Sequence, residues 1–193
     1  MDKITKQAIN KMLLIPMIVT LVATLLMISC LFLPYATAVG DYAEALNQYP
    51  DDVISAEMNL TAKDMKDISM VEYASMYVTL EDQLFGGTGA GVFYAVLVGL
   101  IGGFALIAML FALGRKPIAV MVFTALAYGV FTMQNWDYTD RGVIPSSSYD
   151  WGLAHTIFPI VAFIALAGST WMLVTKVIAK KQVQSETLNQ SEA

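Results

Sequence analysis

Long apolar stretches without a single charge divide this chain. No Asp, Glu, Lys or Arg occurs between Lys11 and Asp41, between Asp82 and Arg115, between Lys116 and Asp137, or between Asp150 and Lys176. A hydrocarbon core about 30 Å thick needs roughly 20 apolar residues of helix, at about 1.5 Å rise per residue. Each interval is long enough. The pattern predicts spanning helices over 12–34, 91–113, 117–135 and 152–175. Strands of a membrane barrel would be about half as long and would alternate in polarity. Only a helix satisfies its own backbone over such lengths in lipid. The expected fold is an all-α transmembrane four-helix bundle.

The polar interval between the first two spans has its own pattern. Residues 41–87 carry ten acidic and two basic side chains. Asp41–Gln48 predicts a short helix, stopped by Tyr49-Pro50. Thr61-Ala62-Lys63-Asp64 offers a helix start. Ser69-Met70-Val71-Glu72 has the form of a capping box, in which Ser and Glu satisfy each other's free amides. Met70, Tyr73, Tyr77, Leu80 and Leu84 then recur at helical spacing, and Gly86-Gly87 closes the run. This apolar stripe packs either on the rest of the segment and the span ends, or against a partner as a docking face. The segment is expected to be a partly helical insertion outside the cytoplasm. Its carboxylates do not form an Asp-x-Asp-x-Asp-Gly calcium loop.

Charge sets the expected orientation. Lys3, Lys6, Lys11, Arg115, Lys116, Lys176, Lys180 and Lys181 fall on one side, against Lys63, Lys66 and Arg141 on the other. The positive-inside rule puts both termini and the Arg115 turn in the cytoplasm of a cell-membrane protein. Tyr35, Tyr94, Trp136, Tyr138 and Trp151 mark the outer boundary. Residues 182–193 are polar and read as a disordered cytoplasmic tail. Met27-Ile28-Ser29-Cys30 loosely resembles a lipoprotein signal, but the apolar run continues through Leu31-Phe32-Leu33. Ala36-Thr37-Ala38 looks like a leader-peptidase site, but follows an apolar run longer than the usual 7–15 residues. The first span therefore reads as a retained anchor with Cys30 buried in it.

Inside the spans, Gly91, Ala95, Gly99 and Gly103 lie four apart. Small residues let helix backbones approach closely, so this stripe is the expected packing seam, within the bundle or between two copies. No acid or base lies inside any span, whereas ion-coupled transporters and pumps use such groups. His155 is the one titratable group at membrane depth outside the phenols and Cys30. One Cys and one His exclude the usual protein zinc site. There is no Gly-rich phosphate loop, no HExxH and no meaningful Ser/His/Asp spacing. Neither enzymatic activity, a cofactor nor nucleic acid is expected. The expected partners are the lipid bilayer, a second copy or a larger membrane complex.

Four-span families with a large first outer loop, such as claudins and tetraspanins, pair cysteines there, and this chain has none. Phe32-Leu33-Pro34-Tyr35-Ala36-Thr37-Ala38, Tyr49-Pro50-Asp51 and Thr61-Ala62-Lys63-Asp64-Met65 resemble small, uncharacterised four-span membrane proteins of Gram-positive bacteria. The resemblance covers most of the chain and implies the four-span fold, with no activity or site to transfer. Three functions then compete. The first is a structural, scaffold or accessory protein presenting the acidic segment. The second is a small transporter or channel component with a path along Gln134, Asn135, Ser169 and Thr170. The third is a membrane redox or enzyme subunit using His155.

Overall fold

The computed structural model describes the backbone of residues 11–191 and the side chains of residues 11–182. Four helices are long and apolar enough to cross a membrane: Leu14–Phe32, Ala90–Leu113, Pro117–Asp140 and Leu153–Gln182. The first consists of α1 (Leu14–Ser29) and a 3-10 turn over Cys30–Phe32. Pro34 stops it, because a residue preceding proline is pushed into extended backbone; Leu33 has ψ 157°. The remaining elements are β1 (Pro34–Ala38), α2 (Gly40–Gln48), β2 (Val53–Ser55), β3 (Leu60–Thr61) and β4 (Asp67–Ser69). They are followed by α3 (Met70–Thr79), α4 (Glu81–Phe85), α5 (Ala90–Leu113), α6 (Pro117–Asp140), β5 (Tyr149–Trp151) and α7 (Leu153–Ser191).

The long helices form a closed ring in which α1 packs on α5 and α7, and α6 packs on the same two. Their outward faces are as apolar as their cores. Ile15 is 60% exposed, Ile118 64% and Phe163 64%. A helix that is hydrophobic all round needs an apolar surrounding, which here is lipid. The chain is thus an all-α multi-pass bundle.

Two boundaries differ from expectation. Helix α6 runs through Asp140, past residue 135, because Asp137 bonds to Tyr94 and Arg141 and Tyr138 is buried in the further turn. The tail of residues 182–193, expected to be disordered, continues α7 as far as Ser191, and residues 192 and 193 lie outside the described residues. No Gly or Pro follows Gly168, and extending an existing helix costs far less than starting one.

The interval between α1 and α5 is partly helical, as the spacing predicts, but a small sheet organises it. Strand β1 lies between β4 and β5, antiparallel to both, with Thr37 opposite Asp67 on one side and Asp150 on the other. Thr37 Oγ1 donates to Asp67 Oδ1 at 2.8 Å. The sheet joins the end of α1, the long loop and the approach to α7 into one layer across one end of the bundle. The capping box at the start of α3 forms: Ser69 Oγ accepts from Glu72 N at 3.2 Å, and Glu72 Oε2 from Ser69 N at 2.8 Å. Thr61-Ala62-Lys63-Asp64 is a turn and not a helix start. Asp64 Oδ2 accepts from the Thr61 amide at 2.9 Å and hydroxyl at 2.8 Å. Those bonds hold its carboxyl below the ordinary range.

Candidate functional site

The chemistry in this chain gathers where the sheet and α3 meet the ends of α5, α6 and α7. Tyr35 on β1, Tyr73 and Tyr77 on α3, and Tyr138 on α6 are buried together. Tyr35 sits edge-on to Tyr73, Phe131, Tyr138 and Trp151, with ring centres 5.4–6.3 Å apart. Edge-to-face packing puts positive ring edges on negative faces and is worth about 0.5–1.5 kcal/mol per pair beyond burial. Each phenol still needs a partner when dry. Tyr35 Oη donates to Asn135 Oδ1 at 2.6 Å, and Tyr94 Oη to Asp137 Oδ2 at 2.8 Å. Burial raises Tyr35, Tyr73 and Tyr77 above the ordinary phenol value, so they stay protonated donors.

Asp137 is also the acceptor for Arg141, with Nη2 at 2.7 Å and Nε at 3.0 Å. The guanidinium lies 4.7 Å from the Tyr94 ring centre and 5.5 Å from that of Tyr138. One helical turn thus carries both ions and rests its cation on two phenol faces. The charges close the apolar cluster on its solvent side.

A groove of about 410 Å³ opens beside this cluster, between α6 and α7. Its walls include Tyr128, Phe131, Thr132, Asn135, Trp136, Trp151 and His155. The His155 ring is stacked on Trp151, 4.3 Å between centres and 17° between planes. That stacking fixes the imidazole, and the Asp150 carboxylate is close enough to act on it through its charge. Among the described residues no three His, Cys, Asp or Glu side chains form a metal-holding group.

The docking-face residues divide. Met70 (0% exposed), Tyr73 (6%) and Tyr77 (8%) point into the bundle end, while Leu84 is 51% exposed. The stripe is not one helix: α3 stops at Thr79, and α4 restarts after Leu80 at φ −99°, ψ 21°. Gly86, at φ +62°, then turns the chain back, a conformation that costs glycine little. Glu81 spans the gap to α5, accepting from the Gly91 amide at 2.6 Å, where a carboxylate also meets the positive end of a helix.

The small-residue stripe divides too. A Cβ on Gly91 would run into the Tyr77 carbonyl and the Glu81 carboxylate. Gly99 and Gly103 have nothing within 4 Å of that position, and Ala95 is partly exposed. The reason is geometric. At 3.6 residues per turn, each step of four rotates about 40° around the helix, so three steps carry Gly103 roughly 120° from Gly91. The buried line of α5 is instead Tyr94, Ile101, Ala105, Ala108 and Ala112. Elsewhere Gly152 faces the Pro34 carbonyl, 2.5 Å from its would-be Cβ, and Gly168 faces Thr20 Oγ1 at 2.6 Å.

The four candidate path residues do not converge. Asn135 is bonded to Tyr35. Thr170 is exposed and donates to its own helix at Leu166 O. Ser169 is buried, 16 residues along α7 from Leu153, or about 24 Å. Gln134 is fully buried, and neither amide atom has a hydrogen-bond partner. Comparison with protein-family models, with curated proteins and with solved structures finds no match to this chain.

Proposed function

We propose that this chain is a structural or accessory protein of the cell membrane that holds a folded acidic segment outside the bilayer for a partner to meet. The supporting observation is the joint itself. Sheet β4-β1-β5 and the Tyr35–Tyr73–Tyr138 cluster fix the segment to three spans at once. A mere connector between two spans has no use for such an anchor. The segment offers an exposed rim that includes Tyr49 (57%), Val53 (63%) and Ile54 (51%) beside Asp51 and Asp52. Both termini and the Arg115 turn lie in the cytoplasm in this reading, by the balance of basic residues.

The test places single cysteines at Asn59, Ser147 and Lys116 in a Cys30→Ala background. Cys30 is buried. In intact cells an impermeant thiol reagent should mark Asn59 and Ser147 and leave Lys116 unmarked. Photo-crosslinking from Val53 and Ile54 in the same cells should give a discrete protein adduct, with none from Val92 on the lipid-facing side of α5. Labelling only at Lys116 inverts the orientation. Equal adducts, or none, from all three positions remove the display reading.

A second reading, a transporter or channel component, draws on one observation. A buried amide without partners costs about 1–3 kcal/mol and persists where it serves a path. We expect Gln134→Met, of similar shape, to raise thermal stability in detergent, since the orphan amide is removed and volume is kept. A fall in stability would mean that Gln134 has a partner and would remove the observation on which this reading draws.

A further inference from the structure

The opposite end of the bundle carries a groove of different character. It measures about 470 Å³, lies between the start of α6 and the later part of α7, and is lined by Lys116, Pro117, Ile118, Ala119, Leu173 and Lys176. Two lysines and four apolar residues share its lining. The lysine end is built and not incidental. Lys176 Nζ donates to the Arg115 carbonyl, which ties α7 to the turn between α5 and α6. Arg115 itself turns the chain in the left-handed region, at φ 52°, and so sets Lys116 directly before α6.

Nothing acidic offsets this charge nearby in sequence. No Asp or Glu occurs between Asp82 and Asp137, or between Asp150 and Glu186. The Arg141–Asp137 ion pair lies at the other end of the bundle. The first amides of α6 add to the field, because a helix N-terminus has N–H groups without intrahelical acceptors and carries partial positive charge. Below the lysines the wall becomes wholly apolar along Ile118, Ala119 and Leu173. Cation above and hydrocarbon below is the complement of an acidic headgroup above an acyl chain. A soluble anion would leave the apolar wall bare, and a neutral lipid would leave the two like charges unneutralised.

We propose that this groove holds one anionic phospholipid, its phosphate between Lys116 and Lys176 and one acyl chain along Ile118, Ala119 and Leu173. The lipid fixes the α6–α7 contact at the bilayer boundary, where two lysines would otherwise repel each other. The inference stands apart from the display of the acidic segment and holds for either orientation.

The test uses the full chain in mild detergent, given equal phosphatidylglycerol and phosphatidylcholine of identical chains and observed by native mass spectrometry. The first bound lipid should be phosphatidylglycerol by at least about fivefold, because each basic residue near an acidic lipid surface contributes roughly that factor. Lys116→Gln/Lys176→Gln should bring the ratio close to one. Lys180→Gln/Lys181→Gln, further along α7, should leave it unchanged. Where the first double variant does not fold, Ala119→Phe fills the groove with every charge kept, and the preference should again be lost. Equal binding of the two lipids by the unmodified chain overturns the proposal. So does a preference that survives in Lys116→Gln/Lys176→Gln or Ala119→Phe, or that disappears in Lys180→Gln/Lys181→Gln. Displacement of the lipid by millimolar inorganic phosphate overturns it in favour of a soluble-anion site.

Discussion

Gly91→Ala is expected to loosen the joint between the acidic segment and the bundle, whereas Gly99→Ala and Gly103→Ala should make the protein slightly more stable. All three lie on α5, and in an ordinary helix each change would add stability by roughly 0.5–1 kcal/mol, since glycine loses the most conformational freedom on folding. At Gly91 the added methyl meets the Tyr77 carbonyl. That atom is backbone at the inner face of α3, so no side chain can rotate away. Either α3 shifts from α5 or the Glu81 bond to the Gly91 amide breaks. Overpacking of this kind costs about 1–3 kcal/mol. Thermal unfolding in detergent should drop for Gly91→Ala, and limited proteolysis should cut earlier between residues 41 and 89. Unchanged melting of Gly91→Ala, or a fall for Gly99→Ala, would show that the contact surface of α5 lies elsewhere.

Tyr35→Ala should be the more damaging single change, at about 3–5 kcal/mol by analogy with large aromatic truncations. Tyr35 is fully buried, at 0% exposure, and its ring touches four rings on three other elements, α3, α6 and β5. Loss of the ring opens a cavity where β1, α3, α6 and β5 meet, and none of them can close it alone. Tyr35→Phe keeps the ring and removes only the hydroxyl bonded to Asn135. That variant should cost about 0.5–1.5 kcal/mol, plus the penalty of an acceptor left unmet. Reversible unfolding by increasing denaturing detergent measures both. If the two variants lose the same stability, the hydroxyl carries the site and the ring cluster does not. If Tyr35→Ala melts like the unmodified chain, the segment is held by something other than this cluster.

These two residues show why parts of the molecule were legible early and parts were not. Four charge-free intervals were enough to define four membrane helices, because lipid admits no other way to satisfy a single backbone of that length. The short-range signals were legible as well. The Ser69–Glu72 box closes over three residues and needs nothing distant. Gly86 ends its helix by its own φ.

What failed to show in the sequence depends on rotation and on distance. Gly91, Ala95, Gly99 and Gly103 share a spacing, yet only the first meets a backbone, because a step of four drifts around a helix of 3.6 residues per turn and the position of α3 selects which glycine is covered. The stripe through Leu84 breaks at Leu80, where tertiary packing overrides a continuous helical pattern. Strand β1 hides at the end of an apolar run, and its partners β4 and β5 have three residues each. Periodicity over three residues carries no signal, and the pairing joins positions about 30 and 115 residues apart. The groove at Lys116 and Lys176 joins residues sixty positions apart. Composition and local spacing determined that this chain lives in a membrane and where its four long helices start. Only the tertiary structure decided which faces meet, since that choice rests on contacts between residues the sequence keeps far apart.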